Sequence, residues 1–315
     1  MPIIDIVVPC YNEEECLPLT MPRLLEKLKS LIAAGKIDEA SSIVMVDDGS
    51  KDKTWEVISS LHKEDPHYRG LKLSHNRGHQ YALVAGVEYS AKRADASISI
   101  DADLQDDIDA IDQMVEEFEK GADIVYGVRS SRETDTFFKR ATAQGYYRIL
   151  QKWAGVEVIY NHADFRLMSK KAMDALLEYK ESALFLRGIV PELGFKTAKV
   201  TYARKEREAG QTHYSLSKML SLAWNGVTSF SIKPLREIFR LGLLFMILSV
   251  IAMVTFGVLQ GVRVLPYDGL PYILGSIFLM GGILLAAMGI LGVYVGKVNY
   301  EVKKRPRYFI EETLE

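Results

Sequence analysis

The N-terminal part of the chain alternates between short apolar runs and longer stretches in which apolar residues recur every three or four positions. The short runs, each ending in polar residues or glycine, are Ile3–Pro9, Ser42–Asp47, Gly70–Ser74, Ala96–Ile100 and Asp123–Val128. The periodic stretches are Leu17–Leu31, Thr54–Leu61, Gln80–Ala91 and Ile108–Lys120. Strands that alternate with helices predict an α/β domain with a doubly wound, mainly parallel sheet.

Polar clusters follow the predicted strands. They are Tyr11–Glu13, Asp47–Ser50, His75–Gly78, Asp101–Asp103 and Arg129. Open α/β sheets bind their ligands at the carboxyl ends of the strands. We therefore expect these side chains to meet at one edge of the sheet and to form a binding site there.

Two long apolar runs, Leu241–Val262 and Tyr272–Val295, follow near the C-terminus. Both exceed the roughly 20 residues that cross a bilayer as a helix. Neither contains a charged residue, and one charge at mid-span would cost about 3 kcal/mol. The pattern predicts two transmembrane helices within 241–296; the alternative is a pair of buried helices in a soluble core.

Basic residues flank the two apolar runs. Lys233, Arg236 and Arg240 precede the first, and five more follow the second: Lys297, Lys303, Lys304, Arg305 and Arg307. Since positive residues stay on the cytoplasmic side, we expect a multi-pass protein of the plasma membrane with both termini in the cytoplasm. The N-terminus shows no basic region followed by an apolar run, which predicts no signal peptide.

The segment Ser215–Ile232 mixes apolar positions with Lys218, Trp224 and Asn225. This mixture predicts a helix on the membrane surface, although an ordinary linker helix is the alternative. The predicted organisation is thus a cytoplasmic catalytic domain (1–212), juxtamembrane interfacial helices (213–240), two transmembrane helices (241–296) and a cytoplasmic basic tail (297–315).

Composition and charge narrow the function classes. The chain has 315 residues, of which 48% are hydrophobic and 25% charged, and a net charge of -2. That charge gives no reason to expect a nucleic acid partner. Cys10 and Cys16 are too few for a disulfide framework or a zinc site of cysteines.

The pair Asp101 and Asp103 directly follows a predicted strand. A turn after the strand lets both carboxylates reach one hard cation, such as Mg²⁺ or Mn²⁺. Such an ion would bridge nucleotide phosphates. The alternatives are a solvated acidic loop and a phosphatase of the DxDxT type, but the fifth position of that motif is Gln105 here.

Eight segments in order resemble the inverting glycosyltransferases of family 2, which have the GT-A fold. They are VVPCYNEEE (7–15), VDDGSKDKT (46–54), NRGHQYALVAG (76–86), DADLQD (101–106), VYGVRSSR (125–132), ADFRLMSKKA (163–172), FLRGIVPELGF (185–195) and REAGQTHYSLSKML (207–220). With the two apolar runs, the resemblance covers nearly the whole chain. It is strongest to the polyprenyl-phosphate subgroup, which includes dolichol-phosphate mannose synthase and the bactoprenol glucosyltransferases.

The resemblance implies a role for individual residues. Nucleotide-sugar contacts are implied for Pro9, Tyr11, Glu13, Asp48, Asp101, Ala102, Asp103, Gln105, Arg129, Arg207 and His213. The implied metal ligands are Asp101 and Asp103, with Gln105 beside them; the implied acceptor-phosphate contacts are Arg140, Gln144 and Arg166; and the implied catalytic residues are Asp103, Arg129 and Asp164. An alternative for Asp164 is that it only pairs with Arg166. Arg129 and Arg140 could instead be ordinary surface cations. His213 departs from the lysine of related mannose synthases.

The function implied by the resemblance is inverting transfer of a sugar onto undecaprenyl or another polyprenyl phosphate at the cytoplasmic face. UDP-glucose and UDP-N-acetylglucosamine are the leading donors, with GDP-mannose as an alternative. A homo-oligomer, a tetramer in related enzymes, is implied as well. Other readings are a polysaccharide synthase, a non-catalytic scaffold or a dehydrogenase. Against a polysaccharide synthase, the chain has Leu186–Gly188 instead of a QxxRW motif. Against a scaffold, it keeps both aspartates, Asp101 and Asp103. Against a dehydrogenase, it has no GxGxxG after the first predicted strand.

Overall fold

The computed structural model describes residues 1–130, 162–181, 185–203, 233–262 and 270–315. The strands are β1 (Ile4–Cys10), β2 (Ile43–Asp47), β3 (Tyr68–Leu73), β4 (Ala96–Ser99), β5 (Ile124–Arg129), β6 (His162–Ser169), β7 (Thr197–Tyr202) and β8 (Ile310–Leu314). The helices are α1 (Leu17–Ala33), α2 (Thr54–Glu64), α3 (His79–Ala91), α4 (Ala110–Glu119), α5 (Lys170–Glu178), α6 (Leu186–Glu192), α7 (Lys233–Gly261) and α8 (Leu270–Val302).

The eight strands form one mixed sheet in the order β7-β5-β6-β4-β1-β2-β3-β8. The pairs β1–β2, β2–β3, β1–β4 and β5–β7 are parallel. Strand β6 runs antiparallel between β4 and β5, and β8 runs antiparallel along β3. The mainly parallel α/β sheet predicted from the sequence is therefore confirmed, and its five predicted strands correspond to β1–β5.

Buried central strands and helix α3 set the geometry of the sheet edge. Strand β2 is buried along its whole length, as is most of β1. A Cβ atom at Gly86 would clash with the side chain of Val7, so this glycine lets α3 lie directly against β1. As a result, the N-terminal residue of α3, His79, lies at the carboxyl edge of the sheet, where β1 and β2 end.

The segment predicted as a basic tail, 297–315, has regular structure. Helix α8 continues to Val302, and Ile310–Leu314 form the edge strand β8. Residues 305–315 belong to the same compact unit as the sheet, whereas 217–304 belong to a second unit. The C-terminal residues are thus part of the α/β domain.

Helix α8 contains the one described segment that is long and apolar enough to cross a membrane. Residues Leu279–Asn299 form 21 helical residues with a mean hydropathy of 2.0, and none of them is buried. The other predicted run falls within α7, where many side chains lie outside the described set, so a second span remains a prediction. Most of the predicted juxtamembrane segment, 213–232, also lies outside the described residues.

Candidate active site

A cavity of about 430 Å³ opens at the carboxyl edge of the sheet. The loops after β1, β2, β3 and β4 and the start of α3 form its walls. It is lined by Pro9, Cys10, Tyr11, Glu13, Asp48, Asn76, Gly78, His79, Ala82, Asp101, Ala102 and Asp103. The polar clusters that the sequence placed at strand ends therefore do meet, as expected.

The loop after β1 is fastened to the loop after β2 by hydrogen bonds. Asn12 adopts a φ of 55°, its N–H donates to Ser50 Oγ over 2.9 Å, and its Oδ1 accepts from the N–H of Lys51 at 2.9 Å. The N–H of Glu13 donates to Thr54 Oγ1 over 2.8 Å. This leaves the ring of Tyr11 40% exposed at the cavity, where a flat aromatic face can pack on a nucleobase.

Asp48 is buried at the end of β2 and holds the loop after β3. Its Oδ1 accepts from the N–H of Arg77 at 2.7 Å, and its Oδ2 accepts from the N–H of Gly78 at 2.8 Å. Burial raises the pKa of Asp48, although these two bonds act in the opposite direction. A carboxylate has about four lone-pair positions, so both oxygens can still accept from a ligand hydroxyl or base N–H.

Gly49 brings the same two loops into direct contact. Its φ is +64°, and a Cβ atom there would lie 2.5 Å from the carbonyl carbon of His75 and 2.6 Å from the nitrogen of Asn76. Only glycine meets both conditions, since it tolerates positive φ and carries no side chain. The cavity wall formed by Asn76 and Gly78 thus depends on a glycine in the loop after the neighbouring strand, β2.

The loop after β4 turns tightly and carries the two aspartates. The N–H of Leu104 donates to the carbonyl of Asp101 at 3.2 Å, and Leu104 has a φ of 43°. Ala102 and Leu104 are 4% exposed and belong to the hydrophobic core, although Ala102 also touches the cavity, whereas Asp101 and Asp103 open onto the cavity. This alternation places both carboxylates on the same side of the turn, as the sequence predicted.

The surroundings of Asp101 are rich in negative charge. Its side chain opens onto the cavity, yet removal from water raises its pKa to about 6; His79 opposes that shift, and other carboxylates add to it. His79 Nε2 lies 3.3 Å from Asp101 Oδ1. In the described part of the chain no three His, Cys, Asp or Glu side chains form a metal cluster. Two carboxylates do fit a Mg²⁺-type ion that takes its other ligands from water and nucleotide phosphates.

Arg129 is held by Asp106 beside the aspartate loop. Its Nε and Nη2 donate to Asp106 Oδ1 over 3.1 and 3.0 Å, and the hydroxyl of Tyr202 donates to the same oxygen over 2.7 Å. Asp106 itself is 2% exposed. Arg129, predicted to bind the diphosphate, therefore lies near the loop after β4 but is engaged with a buried carboxylate, and it does not line the cavity.

Asp164 pairs with two arginines. Its Oδ1 lies 2.6 Å from Arg166 Nη2, and its Oδ2 lies 3.0 Å from Arg187 Nη2. Burial alone would raise the pKa of Asp164, but Arg187 and Arg166 hold it well below its usual range. Since a carboxylate with a low pKa is a weak base, this favours an orienting role over proton abstraction. The pairing with Arg166 that the sequence left open as an alternative is present.

Arg166 and Gln105 are placed behind the cavity surface. The Arg166 side chain is 3% exposed, and besides Asp164 its guanidinium donates to the carbonyl of Leu186 over 3.5 Å. Gln105 is buried, and its N–H donates to Asp103 Oδ1 over 3.3 Å. Neither lines the cavity. Gln105 supports Asp103, which does, whereas Arg166 holds Asp164, which lies behind the cavity surface as well. Arg140, Gln144, Arg207 and His213 lie outside the described residues.

Three residues of this region carry no predicted role in the sequence: His79, Asp106 and Arg187. Each lies within a segment that signalled the family resemblance, but its partner is distant in the chain. Arg187, for example, meets Asp164 from the first turn of α6. For His79 the signal was its place after the Gly78 turn, at the start of a helix whose N-terminus faces the strand ends.

Comparison with known proteins gives a family and individual relatives. Residues 5–177 match the family described as glycosyl transferase family 2. The glycosyltransferase YkoT of Bacillus subtilis is 49% identical, over 99% of this chain and 92% of YkoT. The bactoprenol glucosyl transferase of Shigella phage SfX is 37% identical, over 98% of each chain. A crystal structure of mannosyl-3-phosphoglycerate synthase from Rubrobacter xylanophilus aligns with a TM-score of 0.48 at 15% identity, covering 76% of each chain.

Proposed function

The chain belongs to glycosyl transferase family 2, and from this premise we propose that it transfers a sugar from a nucleotide-sugar to a polyprenyl phosphate. The name of the phage relative, a bactoprenol glucosyl transferase, supports this acceptor class, because the two chains align over 98% of each. UDP-glucose and UDP-N-acetylglucosamine are the donors we propose first.

The proposal rests on the residues that line the cavity described above. One wall offers Tyr11 and Asp48, which suit a nucleobase and a ribose. The opposite wall offers Asp101 and Asp103, which suit a cation bound to phosphates. A nucleoside diphosphate joins those two chemistries in one molecule, with the sugar beyond its second phosphate.

Asp101 and Asp103 are the residues we propose to hold Mg²⁺ or Mn²⁺. When bound, such an ion compensates the negative charge that grows on the departing diphosphate. Removal from water raises the pKa of Asp101 most, and nearby carboxylates raise it further against the opposing effect of His79, so the site carries negative charge that a cation would compensate. Asp106 and Arg129 brace the loop from the side away from the cavity.

The acceptor needs little help from a base. A phosphate monoester has a second pKa near ~6, so it is mostly a dianion at neutral pH. One of its oxygens forms a bond to the anomeric carbon while the bond from that carbon to the diphosphate breaks, and the nucleoside diphosphate leaves. Attack from the opposite side inverts the anomeric centre. Asp164, whose pKa is lowered, accordingly orients Arg187 rather than taking a proton.

The proposed place of reaction is the cytoplasmic face of the plasma membrane. A polyprenyl chain stays in the bilayer, so the enzyme must work at its surface. The apolar segment Leu279–Asn299 supports such an anchor. The basic residues after it, among them Lys303 and Lys304, favour the cytoplasmic side.

The test is transfer of radiolabel by the full-length protein in detergent. The protein is given undecaprenyl phosphate, Mg²⁺ or Mn²⁺, and UDP-glucose, UDP-N-acetylglucosamine or GDP-mannose in turn. We expect label in the organic phase from a UDP-sugar, its loss with EDTA, and a drop of at least about a hundredfold in Asp103→Asn. Asp109→Asn is the matched control, since Asp109 follows on the same loop but pairs with Lys27 outside the cavity.

Three outcomes decide the proposal. Transfer that needs Asp103 but not Asp109 supports it and names the sugar. Equal loss in both variants would argue for damage to the loop instead of loss of a metal ligand. Absence of transfer from all three donors would contradict the polyprenyl-phosphate acceptor.

A further inference from the structure

Arg77 lies between the cavity wall and the C-terminal segment 305–309. Its main-chain N–H donates to Asp48 Oδ1 over 2.7 Å. Its side chain points the other way: Nε donates to the carbonyl of Arg307 over 2.6 Å, and Nη2 donates to the carbonyl of Pro306 over 3.2 Å. One residue therefore connects the end of β2 with residues more than 200 positions later in the chain.

The loop that contains Arg77 is a wall of the cavity. Asn76, Gly78 and His79 line it, whereas the Arg77 side chain does not. Asp48 and Gly49 hold this loop from the side of β2. On the other side the guanidinium of Arg77 is the group that ties it to the C-terminal segment.

The C-terminal segment is itself fixed, so it can serve as an anchor. The N–H of Ser74 donates to the carbonyl of Phe309 over 2.9 Å, and the hydroxyl of Tyr308 is hydrogen-bonded to Glu88. Further along, Trp55 Nε1 donates to Glu312 Oε2 over 3.0 Å, and β8 pairs with β3. The carbonyls that Arg77 meets are thus held by contacts independent of Arg77.

The chemistry of these contacts is specific to arginine. A guanidinium presents several N–H donors in a rigid plane, so it can reach two successive carbonyls at once, which a lysine does less well. Arg77 Cζ also lies 5.6 Å from the ring centroid of Tyr81 in α3, within the range of a cation–π contact. The contacts of Arg77 therefore depend on the positive charge, the planar shape and the orientation of its guanidinium.

We propose that Arg77 is a positioning residue of the donor site, which together with the carbonyls of Pro306 and Arg307 keeps the 76–79 loop in the shape that the nucleotide-sugar needs. The residues after α8 are therefore part of the donor site's construction. The identity of the ligand rests on the function proposed above, but the hold of Arg77 on the loop does not.

Two substitutions test this role, Arg77→Met and Arg77→Lys, with Arg69→Met as the matched control. Arg69 is an arginine of β3 whose Nη1 donates to the hydroxyl of Tyr89 over 2.9 Å, away from the cavity. In steady-state assays with UDP-glucose, Arg77→Met should raise the donor KM by about tenfold, since a lost hydrogen bond from a charged group shifts an equilibrium by roughly that factor. The kcat should stay within about threefold.

Arg77→Lys should give an intermediate donor KM, because lysine keeps the charge but loses the fork. Arg69→Met should leave the donor KM unchanged. Equal rises in KM for Arg77→Met and Arg69→Met would contradict the proposal, since they would reflect a general loss of stability. An unchanged KM in Arg77→Met would contradict it as well.

Hydrogen exchange of the full-length protein gives a readout that needs no transfer activity. The amides of Arg77 and Gly78 should exchange faster in Arg77→Met than in the wild-type protein, and at the wild-type rate in Arg69→Met. Unchanged exchange in Arg77→Met would overturn the role of Arg77 even if transfer is observed. Conversely, faster exchange without transfer in any of these proteins would sustain the positioning role and count against the proposed function.

Discussion

The carboxylates near the cavity differ because their neighbours differ. Removal from water raises the pKa of Asp101 to about 6, and neighbouring acids add to that shift against the opposing effect of His79. Asp164 faces Arg166 and Arg187, and its pKa is lowered. Asp48 receives two main-chain N–H groups but is buried, which leaves its pKa raised. Three identical side chains thus have different surroundings: Asp101 opens onto the cavity, Asp164 pairs with two arginines and Asp48 holds a loop.

Replacement of Gly49 by alanine should impair donor binding as well as lower the stability of the fold. A positive φ costs an alanine about 1 kcal/mol. At Gly49 the new Cβ would also lie 2.5 Å from the main chain of His75, so the loop must move. We expect Gly49→Ala to lower the melting temperature and to raise the donor KM.

Gly35→Ala is the control for the Gly49 variant. Gly35 has a similar φ of +68°, but a Cβ there would lie 3.6 Å from Met1 Cε, an ordinary contact. Gly35→Ala should lower the melting temperature slightly without a change in KM. Equal effects of the two variants on KM would show that loop contact at Gly49 is unimportant.

Asp164→Asn should destabilise the protein in a pH-dependent manner. Removing the charge leaves the Arg166 guanidinium, 3% exposed, without its partner, which typically costs about 3 kcal/mol. Because the folded pKa of Asp164 is lowered, its stabilisation is fully present above the unfolded pKa of about 4 and is lost as the pH falls towards the folded pKa. The difference in melting temperature between wild type and variant should therefore be constant from pH 7 to 5 and shrink below about pH 4.

Asp174→Asn provides the comparison for the Asp164 variant. Asp174 pairs with Lys170 at 3.5 Å on the surface, where both side chains are more than half exposed. Such pairs contribute less than about 1 kcal/mol. A similar melting-temperature loss in both variants, or a difference for Asp164→Asn that grows in acid, would contradict the assignment of a buried ion pair.

At the scale of elements, Asp106 ties the loop after β4 to two other strands. Arg129 comes from the end of β5 and Tyr202 from the end of β7. The turn that carries Asp101 and Asp103 is therefore braced by strands that are not sheet neighbours of β4. The position of Asp101 and Asp103 depends on this brace as well as on β4.

Tyr202→Phe should loosen this brace. The loss of one hydrogen bond should cost about 1 kcal/mol and weaken Mn²⁺-dependent activity, measured as a higher Mn²⁺ concentration at half-maximal rate. Tyr89→Phe removes a comparable bond, from Arg69, at a distance from the cavity. It should lower stability without changing the Mn²⁺ requirement. The same Mn²⁺ requirement in both variants would show that Tyr202 does not act on the metal loop.

The strands that the sequence predicted have a pattern that is visible in their own residues, whereas the strands that it did not predict depend on residues far away in the chain. Strands β1–β5 end in turn residues and are mainly apolar, so their pattern suffices. In β6 the buried Arg166 interrupts the apolar pattern, and its burial is explained by Asp164. Strand β8 (IEETL) carries few apolar residues and forms along the edge of β3. Its stability comes from tertiary pairing, which the local sequence does not encode.

The candidate site was predictable where residues follow strand ends directly. Pro9, Tyr11, Glu13, Asp48 and the Asp101–Asp103 turn all line the cavity. The ion pairs behind the cavity were not predictable from the sequence. Asp106 contacts Arg129, and Asp164 contacts Arg187, only after separate elements have packed together. Residue types alone do not tell whether an arginine binds a phosphate or a carboxylate of its own chain.

On the scale of the whole molecule, α8 should prove to be a membrane span. Leu285 lies within the apolar segment and is 73% exposed, as expected of a lipid-facing side chain. Leu285→Lys should reduce stable insertion, because a lysine near mid-span costs about 3 kcal/mol. The measurement is the fraction that stays in the membrane pellet after alkaline carbonate extraction.

Leu19→Lys is the control for that experiment, since Leu19 is also an exposed leucine, at 63%, but lies in α1 of the α/β domain. It should leave the pelleted fraction unchanged. Retention of Leu285→Lys at the wild-type level would argue against α8 as a span.

The position of strand β8 restricts how many times the chain can cross a membrane before it. Because it pairs with β3, β8 must lie in the same compartment as the rest of the sheet. Between β7 and β8 the polypeptide therefore crosses any bilayer an even number of times, so a crossing by α8 would require a companion crossing between β7 and α8.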